Sequence, residues 1–98
     1  MHEDEWATLR AKLLPKYRVI LASLLESLAR ACAGPHDFKG IATVGHQLKG
    51  NGSMYGFPEL TKLGAELEVA AGREDIGGID QLNQKIRAFV SRHDLRIS

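Results

Sequence analysis

Apolar side chains recur at steps of three and four residues along most of the chain. This spacing is typical of one buried face of an α-helix. No stretch alternates apolar and polar positions as a half-buried strand would. The pattern predicts five helices, over about residues 5–14, 16–33, 37–55, 58–71 and 79–93. The sequence therefore predicts an all-α protein.

Proline and glycine mark the breaks between these segments, at Pro15, at Gly34-Pro35, from Gly56 to Pro58 and over 72–78. Pro15 is expected to end or kink the first helix. Because the connections are short, consecutive helices should run antiparallel. We expect the last four to form an up-down-up-down four-helix bundle, with the short N-terminal helix packed across one end, in a single domain over 1–98.

Each predicted helix has a candidate core face. The sets, in chain order, are Trp6, Leu9, Leu13 and Leu14; Val19, Ile20, Leu24, Leu28 and Cys32 or Ala29; Phe38, Ile41, Gly45, Leu48, Gly52 and Tyr55; Leu60, Leu63, Leu67 and Ala70; and Ile79, Leu82, Ile86 and Phe89 or Val90. The aromatic residues in these sets are assigned to the core and not to a cofactor site.

The third predicted helix contains four glycines, although each costs about 1 kcal/mol relative to alanine in a helix interior. A segment that breaks a local rule so often is a candidate functional site. At about 100° per residue, Gly45 and Gly52 lie on the apolar stripe, where they would let another helix approach. His46 and Gly50 lie on the opposite side, with Lys49 on the flank. Because Gly50 has no side chain, a partner would have room to reach the His46 imidazole.

Composition and charge exclude several classes of function. The 98 residues carry a net charge of +1, with 44% hydrophobic and 26% charged residues, as in an ordinary globular domain. The mixed charges give no basic stripe for nucleic acid and no polybasic patch for a membrane. The N-terminal residues lack the pattern of a signal peptide. The lone Cys32 precludes an internal disulfide and is expected to be a buried thiol in a reducing compartment. We expect a cytoplasmic protein.

The other histidines are weaker candidates. His36 is expected to be an exposed loop residue, His2 to lie in a frayed terminus, and His93 to lie near the last helix C-terminus. None has a second ligand at the spacing of a metal site, so no metal is predicted. No glycine-rich loop follows a strand, so autonomous kinase activity is not expected.

An exposed histidine alone is usually an ordinary surface residue, but here it is part of a motif. Residues 46–57 read HQLKGNGSMYGF. This stretch resembles the signature of histidine-containing phosphotransfer (HPt) domains, which is His-x-Leu-Lys-Gly, then small residues, then a glycine that closes the helix. Leu60, Leu63 and Leu67-Glu68 also match the second motif helix of that family. The chain departs from the family where Asn51-Gly52 replaces the commoner Ser or Ala pair, and where Gly45 replaces Ala.

The resemblance implies a phosphorelay carrier. His46 would accept a phosphoryl group from the aspartyl phosphate of a receiver domain and pass it to another receiver. Neutral imidazole is a competent nucleophile near pH 7. Lys49 would contact phosphoryl oxygens. The antiparallel helical hairpin puts position 68 level with 46, so Glu68 is expected to accept a hydrogen bond from Nδ1 and leave Nε2 to attack; the alternative is that Glu68 is an ordinary solvated residue.

The resemblance also implies the partners, namely receiver domains of response regulators, hybrid sensor histidine kinases, or both. Mg²⁺ is expected on the receiver, and no cofactor on this chain, which is expected to be a monomer. An apolar patch should lie beside His46, with the first two helices as its source. Two alternatives stay open: a binding or scaffold module that keeps the fold, and an HPt domain that a histidine kinase phosphorylates directly.

Overall fold

The computed structural model describes residues 3–96, which form four α-helices and no strand. The helices are α1 (Glu3–Cys32), α2 (Phe38–Asn51), α3 (Pro58–Gly72) and α4 (Ile76–Arg92). Neighbouring helices along the chain pack on one another around one apolar core. The prediction of an all-α fold is confirmed. The expectation for His2 lies outside the described residues.

The N-terminal segment differs from the prediction, because α1 is a single helix of 30 residues that passes through Pro15. There is no separate short helix packed across one end. A proline inside a helix usually costs about 3 kcal/mol. Here the residues before it have tertiary contacts: Trp6 lies next to Gly56, and the Arg10 guanidinium carbon is 4.8 Å from the centre of the Phe57 ring. These contacts favour a continuous helix.

The predicted core face of α1 is wrong in part. Its buried residues follow alternating steps of four and three and are Tyr17, Leu21, Leu24, Leu28 and Ala31. Val19, which we expected in the core, is 60% exposed, and Trp6 and Leu9 are 43% and 39% exposed. The predicted face was shifted because it began at the branched aliphatic Val19 and not at Tyr17. The Tyr17 ring is buried because its hydroxyl donates a 2.8 Å hydrogen bond to Oδ1 of Asn51.

The core faces of α3 and α4 are confirmed, and that of α2 is confirmed apart from its ends. The buried apolar residues are Ile41, Val44 and Leu48 on α2; Leu60, Leu63, Leu67, Ala70 and Ala71 on α3; and Ile79, Leu82, Ile86, Phe89 and Val90 on α4. Helix α2 ends at Asn51, four residues before the predicted end, and residues 52–56 form turns. Helix α4 begins three residues early because the Asp75 side chain accepts a hydrogen bond from the Gly78 amide at 3.0 Å.

Candidate functional site

Helices α2 and α3 approach one another closely at glycines. A Cβ atom on Gly45 would lie 2.7 Å from the backbone nitrogen of Glu68, and one on Gly64 would lie 2.5 Å from that of Lys49. Both separations are shorter than real Cβ contacts. The packing role predicted for Gly45 is therefore confirmed, and Gly64 supplies the matching small residue from α3. This contact sets the distance between the two helices at the site.

A second glycine contact lies one turn beyond the site. A Cβ atom on Gly52 would lie 2.5 Å from the backbone nitrogen of Thr61, which confirms the packing role of this glycine as well. The Thr61 hydroxyl accepts a hydrogen bond from the Ser53 amide at 2.7 Å and lies 3.1 Å from the Ser53 hydroxyl. Sequence reasoning missed Thr61, because its partner lies across the turn between two helices. These bonds hold the end of α2 against α3.

The His46 side chain projects from α2 into solvent and is 72% exposed. Its Nδ1 atom lies 3.1 Å from Oε2 of Glu68, across the contact between the two helices. An ionised carboxylate can only accept a hydrogen bond, so Nδ1 is the donor. The other ring nitrogen, Nε2, then carries the lone pair. With Nδ1 as the donor, the exposed Nε2 is the ring nitrogen available to act as a nucleophile.

The Glu68 carboxylate is shared between two partners. Its Oε1 atom lies 3.6 Å from Nζ of Lys49, and its side chain is 33% exposed, against 52% for the lysine. Glu68 is therefore more than a solvated side chain on α3. The structure brings His46, Lys49 and Glu68 together in one cluster.

Gly50 lies one turn after His46 and is exposed. A Cβ atom at Gly50 would have no atom within 4 Å, so no packing contact requires glycine there. The backbone beside the imidazole is open to an approaching molecule.

An apolar patch lies beside Gly50, in a groove between α1 and the end of α2. Val19 and Met54 line it and are 60% and 70% exposed. Sequence analysis expected such a patch but did not name its members. Val19 had been assigned to the core, and Met54 lies in the turns where a longer helix was predicted.

The prediction for His36 is right about its place in the connection between α1 and α2 and wrong about its exposure. Its side chain is only 14% exposed, and Nε2 lies 3.3 Å from Oδ1 of Asp80. The two residues are 44 positions apart, so local sequence gave no signal for this pair. His93 follows the last residue of α4, as expected, and its ring centre lies 4.1 Å from that of Phe89.

Cys32 is half-buried, not fully buried as predicted. Burial, and then the nearby Asp80 carboxylate, raise the pKa of its thiol. Over the described range 5–96, no group of three or more His, Cys, Asp or Glu side chains is placed to hold a metal ion.

The family model of the Hpt domain matches residues 9–92, a range that includes every residue of the cluster. The chain belongs to the Hpt domain family. Hpt domains are helical bundles that serve as histidine phosphotransfer modules in two-component systems, together with receiver domains and histidine kinases. Comparisons with the curated proteins and with the solved structures give no match.

The bundle predicted from the sequence is thus confirmed at the level of the family. Within the part of the chain that the structure describes, no helix is both long and apolar enough to cross a membrane.

Proposed function

We propose that this Hpt domain is a phosphorelay carrier that takes a phosphoryl group onto Nε2 of His46 from a receiver aspartyl phosphate and passes it to another receiver. The observation that carries the proposal is the exposed imidazole whose Nδ1 is bonded to Glu68. In this orientation, Nε2 of His46 points away from the Glu68 carboxylate that binds Nδ1. The open backbone at Gly50 gives a partner room to approach.

The proposed reaction is an in-line displacement at phosphorus. The Nε2 lone pair of His46 forms the P–N bond while the bond from phosphorus to the receiver aspartate breaks, and its electron pair stays on the released carboxylate. Positioning and charge neutralisation supply most of the catalysis in such transfers. Lys49 would act as a mobile point charge on the phosphoryl oxygens. Mg²⁺ would be bound by the receiver, and this chain would need no cofactor.

The same proposal assigns the docking surface to the groove between α1 and α2. Val19 and Met54 expose large apolar side chains there, and Gly50 forms the edge nearest His46. Apolar patches rimmed by polar residues are typical of protein interaction sites. The partner would be a receiver domain, and the chain would act as a cytoplasmic monomer that binds neither nucleic acid nor membrane.

An antiparallel up-down-up-down order of the four helices is part of this proposal. It is supported by two contacts between α1 and α4 in which the later residue of α1 meets the earlier residue of α4, as in an antiparallel pair. Arg18 of α1 donates to the backbone oxygen of Asp94, just after α4, and Arg87 of α4 donates to that of Leu25. This order would place the docking groove on one flank of α2 and Glu68 on the other.

The test is to incubate the chain with a phosphorylated receiver and, separately, with a histidine kinase core and ATP. We expect acid-labile label from the receiver, and its loss in His46→Gln. Helix content should not change in this variant, because the replaced ring is exposed. His93→Gln is the matched control, since His93 is also an exposed histidine, and it should be labelled normally.

Label from the kinase alone would contradict the proposal and identify a direct kinase substrate. Absence of label in both reactions would identify a binding or scaffold module. Label that persists in His46→Gln would move the site elsewhere.

A further inference from the structure

The Glu68 carboxylate is a fixed anion beside the reacting ring. One oxygen is 3.1 Å from Nδ1 of His46 and the other is 3.6 Å from Nζ of Lys49. With 33% of its side chain exposed, Glu68 is the most shielded of the three. Its backbone packs directly against Gly45, which holds it close to α2. The helix packing therefore holds the carboxylate near the imidazole.

Phosphorylation changes the charge that this anion faces. When Nε2 of His46 forms a bond to phosphorus, the ring keeps its Nδ1 proton and becomes positively charged. Either a nearby anion balances this charge or the proton leaves to solvent. Among the described residues, Glu68 from α3 is the anion in contact with the ring, and Lys49 from α2 is the cation on its other oxygen. Glu68 is thus placed to retain the proton.

We infer that Glu68 keeps Nδ1 of His46 protonated in the phosphorylated state, so that the phosphohistidine is built for rapid onward transfer and not for storage. The inference rests on the proposed function. In onward transfer the P–N bond breaks and its electron pair returns to Nε2. If Nδ1 is still protonated, the leaving group is neutral imidazole; otherwise it is an imidazolate anion, which leaves poorly. With the proton retained, neither direction of transfer needs a proton from solvent.

A glutamine at position 68 would not have this effect. Its amide can accept a hydrogen bond from a protonated Nδ1 or, after rotation of its terminal group, donate one to a deprotonated Nδ1. Hydrogen bonds to an ionised group are roughly twice as strong as neutral ones. The carboxylate therefore favours one protonation state of the phosphohistidine, and the amide favours neither.

The experiment compares the wild-type chain with Glu68→Gln and with the control Glu66→Gln. Glu66 is an exposed carboxylate on the same helix, in the groove between α3 and α4, so its replacement changes the net charge equally. Each chain is phosphorylated with potassium phosphoramidate, the reagent is removed, and His46 is verified as the site by mass spectrometry. Loss of the phosphoryl group is followed by ³¹P NMR at several pH values above the ordinary histidine pKa of about 6.5.

We expect the phosphohistidine of Glu68→Gln to decay about tenfold more slowly than wild type in that pH range. This factor corresponds to the difference in strength between a hydrogen bond to a charged acceptor and one to a neutral acceptor. Glu66→Gln should decay at the wild-type rate. The ¹⁵N shift of Nδ1 should show a protonated ring nitrogen in the phosphorylated wild type and a deprotonated one in Glu68→Gln at the same pH. A purely structural role of Glu68 would not move this signal.

Equal or faster decay in Glu68→Gln, or an unchanged Nδ1 signal, would overturn the inference. The carrier role would still stand if a receiver continued to label His46. A wild-type chain whose His46 takes no phosphoryl group from a receiver or from a histidine kinase would overturn the proposed function and this inference with it.

Discussion

Replacement of Gly45 by alanine tests whether the close contact of α2 and α3 organises the site. The added Cβ would lie 2.7 Å from the Glu68 backbone nitrogen and 2.8 Å from the Gly64 oxygen. Ordinary contact begins at 3.4 Å, so the helices would have to separate by about 0.7 Å, the difference between 3.4 and 2.7 Å. Both opposing atoms belong to the backbone and have no rotamer through which to move away.

Two effects of opposite sign determine the stability of this variant. Alanine gains about 1 kcal/mol over glycine through helix propensity. Overpacking of a close contact costs about 1–3 kcal/mol, and here it acts on two backbones at once. Because two backbones meet, we take the upper part of that range, about 2–3 kcal/mol, and expect a net loss of about 1–2 kcal/mol in the free energy of unfolding. This loss corresponds to a fall of roughly 4–16 °C in Tm for a domain of this size.

Gly50→Ala is the matched control for Gly45→Ala. It makes the same chemical change in the same helix, but its Cβ would meet no atom within 4 Å. Only the propensity gain applies, so its free energy of unfolding should rise by about 0.5–1 kcal/mol. Urea denaturation followed by far-UV circular dichroism measures both values. A Gly45→Ala variant as stable as Gly50→Ala would refute the assignment of Gly45 to the helix contact.

Two further predictions concern the docking surface and the core. Gly50→Gln should keep or raise helix stability yet slow transfer from a phosphorylated receiver, because the long side chain occupies the space beside His46; transfer at the Gly50→Ala rate would contradict this. Burial, and then Tyr55, raise the pKa of the Tyr17 phenol above its ordinary value of 10.0. The unfolded chain ionises first, so stability should fall as pH rises above about 10, and Tyr17→Phe should show a shallower fall in pH-dependent denaturation. Equal slopes would show that Tyr17 is not the group responsible.

Helical periodicity was enough to predict most of the fold. The buried faces of α3 and α4 follow regular spacing of leucine, isoleucine and phenylalanine, and a small set of apolar residue types makes such faces unambiguous. The prediction failed at Tyr17, because a side chain with a hydroxyl is a poor core candidate until its partner Asn51 is known. It failed at Pro15 for a similar reason. The contacts that favour a continuous α1 join Trp6 and Arg10 to Gly56 and Phe57, which lie far away in the sequence, between α2 and α3.

The parts of the site that lie close together in the sequence were predictable. His46, Lys49 and Gly50 belong to one motif, and the hairpin of α2 and α3 sufficed to bring position 68 level with 46. The shared use of Glu68 by His46 and Lys49 depends on the separation of the helices. Gly45 indicated a close approach, but its partner Gly64 on α3 was not identified from the sequence.

The glycine contact between α2 and α3 has a consequence for how such a domain diversifies. The distance from Glu68 to His46 is determined by backbone meeting backbone, on one flank of α2. Val19 and Met54 instead line the groove between α1 and the end of α2. With the proposed docking surface, substitutions at these two exposed positions would change partner preference during evolution and leave the hydrogen bond that orients the imidazole unaltered.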